Sequence, residues 1–173
     1  MRWFWIDRFT EFESGKRATS IKTVSLAEEQ MHDHFPGAPI MPNSLIIEGL
    51  AQTGGLLAAE YNGWRERVIL AKIAKATFHF PAVAGDTLTY RATLDDISSG
   101  GAVASTTSHV GDRLQAEAQM FFAHVDESFA GKSLFKPGQL QNMLRTWALF
   151  EIGKAADGSP LVPSESLLHD GEE

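Results

Sequence analysis

The chain has 173 residues, of which 43% are hydrophobic and 21% are charged, a balance that is typical of one globular domain and excludes a disordered chain. The formal net charge of −7 argues against a nucleic-acid binder, and the absence of cysteine excludes disulfide bonds and thiolate chemistry. No stretch approaches the ~20 apolar residues of a membrane-spanning helix, and the start is too briefly apolar for a signal peptide. We therefore expect a cytoplasmic protein that binds neither nucleic acid nor membrane.

The first part of the chain is predicted to form two strands, a short helical turn and an irregular loop. Residues 4–25 have strand-like composition on both sides of a turn at residues 13–16. Residues 26–31 suit a short helical turn. Residues 34–42 contain three prolines, each of which removes a donor and restricts the residue before it, so this stretch cannot be regular.

A long helix is predicted to follow the proline-rich loop. Asn43 and Ser44 are residue types that cap helices, and the sequence stays rich in Leu, Ile and Ala as far as Tyr61. Because this helix is apolar nearly all round, it should be buried. Its glycines lower helix propensity, so we expect another backbone to approach closely at these positions: Gly49, Gly54 and Gly55.

From Arg67 onward the pattern changes to four strands that are separated by short turn sequences. Short links imply an antiparallel sheet, and one curved sheet around one helix is an economical way to bury that helix. The predicted fold class is therefore α+β. Residues 1–126 would form this domain, and residues 127–173 a C-terminal extension. The extension combines a helix around Leu140, Leu144 and Trp147 with a loose acidic tail, in which Leu161, Val162, Leu167 and Leu168 could dock.

Two side chains near the start of the long helix could move protons. His34 lies in the constrained loop, and Glu48 lies inside the apolar helix, where burial favours a protonated carboxyl that can donate its proton. The first amides of the helix, at Asn43 and Ser44, could bind a carbonyl oxygen that becomes enolate-like. Together these groups describe proton abstraction beside a carbonyl, followed by loss of water.

Other interpretations of these residues remain open on composition alone. A histidine beside prolines is often a structural hydrogen-bonding group, and a single glutamate in an apolar helix often lies at its rim. The sequence His32-Asp33-His34 resembles part of a metal site, although no fourth ligand stands at a suggestive spacing. Physical reasoning from the residues alone leaves the site undecided.

The stretch HFPGAPIMPNSLIIEGLAQ, residues 34–52, resembles the signature of the 3-hydroxyacyl-[acyl-carrier-protein] dehydratases of the FabZ type. The similarity extends over roughly residues 5–125 and keeps the histidine-to-glutamate spacing of fourteen. It implies the hotdog fold and dehydration of (3R)-3-hydroxyacyl thioesters in fatty-acid or related acyl-chain synthesis, without cofactor or metal. The related FabA enzymes carry aspartate at the position of Glu48, so the glutamate favours the FabZ type.

The resemblance also implies a role for individual residues. His34 matches the catalytic base, Glu48 the catalytic acid and Gln52 a glutamine that supports the carboxylate. The Ile40 carbonyl matches the group that orients the histidine, and the amide at Asn43 matches a donor to the thioester oxygen. The implied assembly is a homodimer with shared active sites, which can extend to a trimer of dimers.

The implied partner is an acyl carrier protein that carries a 3-hydroxyacyl chain. Such carriers are acidic, and two stretches, residues 63–75 and 131–154, each hold four Lys or Arg against one Glu. The sequence departs from the signature in having asparagine at position 43, where glycine is usual, and Asp33 before the histidine. The alternatives are a hotdog acyl thioesterase and a non-catalytic protein that binds acyl carriers.

Overall fold

A computed structural model of the chain describes residues 4–125 and 137–168. The first part of the chain forms two strands and two helices: β1 Arg8–Glu13, β2 Arg17–Thr23, α1 Glu29–Asp33 and α2 Asn43–Tyr61. Four long strands follow: β3 Arg67–Phe78, β4 Thr87–Ser98, β5 Gly101–Val110 and β6 Arg113–Val125. The extension forms α3 Pro137–Thr146, α4 Leu149–Ile152, β7 Gly153–Lys154 and α5 Glu165–Leu168.

The seven strands form one sheet in the order β3-β6-β5-β4-β2-β1-β7. All neighbouring pairs are antiparallel except β1 and β7, which are parallel. The sheet curves around α2, whose contacts reach β2, β3, β4, β5 and β6. A long helix wrapped by an antiparallel sheet is the hotdog arrangement, so the predicted α+β fold class is confirmed. Within the residues described, no helix combines the length and the apolar character that crossing a membrane requires.

Helix α2 is fully buried only where it meets the inner face of the sheet, although it is apolar nearly all round, and Leu45, Ile47 and Leu56 on its other side are half-buried. Ile46, Leu50 and Leu57 are fully buried. At Gly49, an added Cβ would lie 2.9 Å from the Trp5 carbonyl oxygen and 2.3 Å from the Tyr90 ring. The expected approach of a backbone therefore occurs at Gly49. It does not occur at the other two glycines of the helix, where the Phe122 ring is the close neighbour instead.

The start of α2 differs from the sequence-based expectation. Pro42 occupies the N-cap position, and no side chain caps the helix, so the prediction that Asn43 and Ser44 serve as caps was wrong. The Pro42 carbonyl accepts the amides of Leu45 at 2.9 Å and Ile46 at 3.2 Å, which satisfies two of the helix's first donors. The fixed φ of proline favours this sharp entry without help from a polar side chain.

The short helix before the loop lies slightly later in the sequence than expected: α1 covers Glu29–Asp33 rather than residues 26–31. Met31 is fully buried and anchors α1 in the core. The carboxylate of Glu28, at the helix start, pairs with the ammonium group of Lys22 on β2. The Lys22 side chain is only 8% exposed. This buried pair ties the beginning of α1 to the sheet.

The described part of the extension packs onto the edge of the sheet at β1. Strand β7 pairs with Phe12 and Glu13 of β1, and buried residues of the extension join the same apolar core as α2. They are Met143, Leu144, Trp147, Leu149, Leu161 and Leu167. The expected helix ends at Thr146, and Ala148 takes a left-handed conformation at φ 57°.

The tail is packed rather than loose as far as residue 168, which differs from the expectation. Leu161 and Leu167 are buried, whereas Val162 is 71% exposed. The Ser164 and Ser166 hydroxyls donate to the Gly63 carbonyl at 2.9 Å and 2.6 Å. The acidic end of the chain lies outside the described residues, as does the segment around the predicted domain boundary at 126.

Candidate active site

The proline-rich loop places His34 directly after α1 in a tight turn. The Phe35 carbonyl accepts the Ala38 amide at 2.9 Å, and Gly37 has a φ of 79°, a left-handed conformation that glycine adopts without strain. The Ile40 amide donates to the His34 carbonyl at 2.8 Å, which closes the loop. The next residue, Met41, donates its amide to the Ala82 carbonyl at 2.8 Å and anchors the loop to the turn before β4.

The His34 side chain is half-buried and stacks on the Phe35 ring, with centroids 4.1 Å apart and planes inclined by 29°. Neither of its ring nitrogens makes a hydrogen bond to any of the residues described. Ile40 holds the loop through its amide, and an orienting role for its carbonyl stays a prediction. The Phe35 side chain is 54% exposed, so this end of the loop presents an apolar surface.

Glu48 lies on α2 with its carboxylate fixed by a neighbour on the same helix face. The Gln52 side-chain amide donates to Glu48 Oε1 at 2.9 Å, because residues four apart on a helix lie one above the other. Gln52 Oε1 in turn accepts the backbone amide of Trp5 at 3.0 Å. The structure therefore brings Glu48 and Gln52 together, and it adds Trp5, for which no sequence pattern indicated a role.

A second polar contact fixes the opposite side of α2. Thr53 donates to the Gly49 carbonyl at 2.8 Å, and its hydroxyl also lies 2.7 Å from the Ser20 hydroxyl of β2. Both hydroxyls are fully buried, so each satisfies the other where water is excluded. This pair sets the rotation of α2 against the sheet and therefore the side on which Glu48 emerges.

Tyr90 packs against Gly49, the residue that follows Glu48, and is fully buried. Burial, followed by the nearby carboxylates of Asp7 and Glu28, raises the pKa of Tyr90 far above its usual range. The phenol therefore stays neutral at physiological pH and cannot act as a base. Its contribution to the site is shape, because its ring fills the space next to the glycine.

The first turn of α2 presents free donors at the loop end. The backbone amides of Asn43 and Ser44 have no acceptor among the described residues, and both residues are exposed. The positive end of the helix dipole adds to the potential at these two amides. An oxygen that gains negative charge would be stabilised here.

His34 and Glu48 are not joined within one chain. Across residues 4–125 and 137–168, no hydrogen bond or ion pair links the imidazole to the carboxylate. The same part of the chain also contains no group of three or more His, Asp or Glu residues placed to hold a metal ion. The arrangement offers a carboxylate with a fixed orientation, an imidazole on a rigid loop and two unoccupied amides.

Residues 3–123 match the family model described as a FabA-like domain. This chain belongs to the FabA-like family. Among the similar relatives of this FabA-like protein is the 3-hydroxyacyl-[acyl-carrier-protein] dehydratase FabZ of Symbiobacterium thermophilum, which is 37% identical over 70% of this chain and 86% of the relative. The protein of the same name from Chloroflexus aggregans is 40% identical over 70% of this chain and 85% of the relative.

Solved structures resemble the FabA-like protein in fold. The AziG protein of S. sahachiroi has a TM-score of 0.57 at 19% identity, over 68% of this chain and 90% of that chain. A mutant acyl-CoA hydrolase from Staphylococcus aureus has a TM-score of 0.53 at 17% identity, over 65% of this chain and 68% of that chain. At these identities the likeness extends to the fold alone.

Proposed function

We propose that this protein dehydrates (3R)-3-hydroxyacyl-[acyl-carrier-protein] to the trans-2-enoyl thioester, in fatty-acid or related acyl-chain synthesis. The observation that carries the proposal is the Glu48 carboxyl group, held by Gln52 at 2.9 Å on the helix that follows the His34 loop. The relatives named dehydratases, at 37% and 40% identity, support the same reaction. The reaction class is that of a hydro-lyase.

In this mechanism His34 is the base and Glu48 is the acid. The imidazole removes a proton from C2, the electron pair forms the C2–C3 double bond, and the C3–O bond breaks. The protonated Glu48 carboxyl gives its proton to the departing hydroxyl, which leaves as water. The site is left with an imidazolium and a carboxylate, and transfer of one proton between them through solvent restores it.

The amides at Asn43 and Ser44 hold the thioester oxygen in this account. As C2 loses its proton, negative charge develops on that oxygen, and backbone donors already in place stabilise it without rearrangement. The asparagine side chain does not remove the donor, since the donor is the backbone. No cofactor enters the reaction, because the thioester itself acidifies the C2 proton.

The assembly that accompanies this mechanism is a homodimer with shared active sites. Among the described residues, strand β3 pairs only with β6, and its Leu70 and Ile73 side chains are 38% and 39% exposed. The free edge of such a strand presents backbone donors and acceptors with which another strand can pair. A second copy placed there could complete the site with its own His34, which makes no hydrogen bond or ion pair with Glu48 within one chain. A trimer of such dimers is a further prediction.

The proposed partner is an acyl carrier protein, which would dock on a basic surface. Of the two basic stretches, residues 63–75 are described, and Arg65, which precedes β3, is exposed there. In the other stretch, Lys132 and Lys136 lie outside the described residues. The cytoplasmic location stays a prediction from the sequence.

The direct test compares two site variants with matched controls on the same elements. His34→Ala and Glu48→Gln should each lower kcat by at least ~10²-fold, as expected when a general base or acid is lost. His32→Ala, in the neighbouring helix α1, and Glu60→Gln, further along α2, control for the loss of an imidazole or a carboxylate. Turnover close to wild type in either site variant would refute the assigned roles.

A further inference from the structure

The N-terminal segment, residues Phe4–Asp7, lies between helix α2, which carries Glu48, and the C-terminal extension. Trp5 faces α2 with both backbone groups: its amide donates to Gln52 at 3.0 Å, and its carbonyl oxygen lies where only a glycine, Gly49, leaves room. Trp5 is 8% exposed and its neighbour Ile6 is 2% exposed. The segment precedes β1, and its last residue, Asp7, donates its amide to the Ile21 carbonyl of β2 at 2.7 Å.

On its other side the segment is held by Trp147 of the extension. The Phe4 and Trp147 rings meet edge to face, with centroids 5.2 Å apart and planes at 78°. The Trp147 carbonyl accepts the amide of Phe9 at 2.8 Å, at the irregularity where the β1–β2 register shifts. Trp147 is 3% exposed, so the core fixes its own position.

These contacts form a continuous chain from the extension to the proposed acid. The Trp147 ring packs on Phe4, the amide of the next residue, Trp5, donates to Gln52, and Gln52 donates to the Glu48 carboxylate. Trp147 lies beyond residue 123, where the match to the FabA-like domain ends. The extension is thus an addition that reaches the site without touching it.

We propose that Trp147 is a positioning residue for Glu48, acting through the Phe4–Asp7 segment and Gln52. This inference rests on the proposed function, since it concerns the carboxylate that acts as acid there. A carboxyl group that is displaced by a fraction of an ångström still binds substrate but protonates the leaving hydroxyl poorly. Loss of Trp147 should therefore lower kcat and leave KM almost unchanged.

The test replaces Trp147 by leucine and by phenylalanine, with Leu161→Ala as the matched control. Leu161 is a buried residue of the same extension, and it packs on Gly153, which pairs with Phe12 of β1. We expect Trp147→Leu to lower kcat by roughly tenfold to 10²-fold, and Trp147→Phe to retain most activity because a ring still meets Phe4. Leu161→Ala should lower the unfolding temperature but leave kcat close to wild type.

Coupling to Gln52 separates a positioning role from general destabilisation. In a Gln52→Ala background, Trp147→Leu should lower kcat no further, since the chain of contacts is already broken. Independent additive losses, or equal kcat losses in Trp147→Leu and Leu161→Ala, would overturn the proposal. Should Trp147→Leu fail to fold, Phe4→Ala removes the other ring at a site that is 38% exposed and gives the same test.

A second readout does not depend on activity. Amide hydrogen exchange in residues 4–9 should become faster in Trp147→Leu and Phe4→Ala but stay unchanged in Leu161→Ala. Unchanged exchange in Trp147→Leu would refute the mechanical link, whatever the kinetics show. If the wild-type protein lacked dehydratase activity while exchange changed as expected, the proposed function would fail and the structural link would stand.

Discussion

The contact between Gly49 and its neighbours predicts a large effect of adding one methyl group. In Gly49→Ala the new Cβ would lie 2.3 Å from one Tyr90 ring carbon, 2.7 Å from another and 2.9 Å from the Trp5 carbonyl oxygen. All three distances are shorter than real Cβ contacts allow. Tyr90 is fully buried and the Trp5 oxygen belongs to the backbone, so neither can move aside at low cost.

The expected magnitude follows from two opposing contributions. Glycine in a helix interior costs about 0.8–1 kcal/mol relative to alanine, which favours the substitution. Overpacking a well-filled core costs about 1–3 kcal/mol, and here two separate contacts must open. We therefore expect Gly49→Ala to lower the free energy of unfolding by about 1–2 kcal/mol and to displace Glu48, the preceding residue, with a loss of kcat.

Gly55→Ala provides the matched control on the same helix. Its added Cβ would lie 3.3 Å from a Phe122 ring carbon, a contact that a small ring movement relieves, while the gain in helix propensity is the same. Urea unfolding of both variants, together with steady-state kinetics, makes the comparison. If Gly49→Ala were as stable as Gly55→Ala, the close packing at Gly49 would be refuted.

Three further predictions concern assembly, docking and pH. Mixing His34→Ala with Glu48→Gln subunits should restore part of the activity, because some heterodimers carry one intact shared site. No recovery after verified exchange of subunits would place each site within one chain. Arg65→Glu should raise KM for carrier-protein substrates at low salt but leave KM for a pantetheine thioester unchanged. An equal loss of activity on both substrates would indicate a folding defect. Burial raises the pKa of Glu60, against a smaller opposing effect of the Ser14 hydroxyl. The Glu60 carboxyl group therefore holds its proton more tightly in the folded chain than in the unfolded chain, and the free energy of unfolding falls as the pH rises from the unfolded pKa through the folded pKa. Glu60→Gln should therefore raise the free energy of unfolding at pH 7 by less than about 1 kcal/mol. This gain should vanish below the pKa of glutamate in the unfolded chain. No gain at pH 7 would contradict burial as the cause of the raised pKa.

The sequence predicted the fold well where one local pattern determines one element. Helix α2 ends at Tyr61 as expected, and the strands from Arg67 onward are separated by the turns that the sequence indicates. The proposed site could be found because its main residues lie within nineteen positions, His34 to Gln52, which together resemble one family signature. The same residues considered one by one left the site undecided.

Contacts between distant parts of the chain could not be found in this way. Trp5 serves Gln52 through its backbone amide, which every residue except proline carries, so the sequence gives no signal across 47 positions. The two-residue strand β7 is too short to have a pattern. Pro42 replaces the expected polar cap because its own geometry begins the helix, a preference that cap statistics do not capture.

In the extension, the sequence showed apolar residues that could dock, but it did not show whether they are buried. Leu161 and Leu167 were recognised as apolar residues in a polar tail, and both are buried. Whether such residues dock depends on the surfaces that the rest of the fold offers, here helix α3 for the helix that carries Leu167 and the Gly63 carbonyl for the neighbouring serines. Gly63 lies about a hundred residues earlier in the sequence.

The most direct test of the central claim is the mass of crotonyl-[acyl-carrier-protein] after incubation with the protein, since dehydration is reversible. We expect a product heavier by one water on the intact acyl-carrier protein, formed by the wild type and not by Glu48→Gln. Release of the acyl chain would indicate a thioesterase, and an unchanged mass would indicate a protein that only binds acyl carriers. Either result would contradict the dehydratase mechanism proposed for His34 and Glu48.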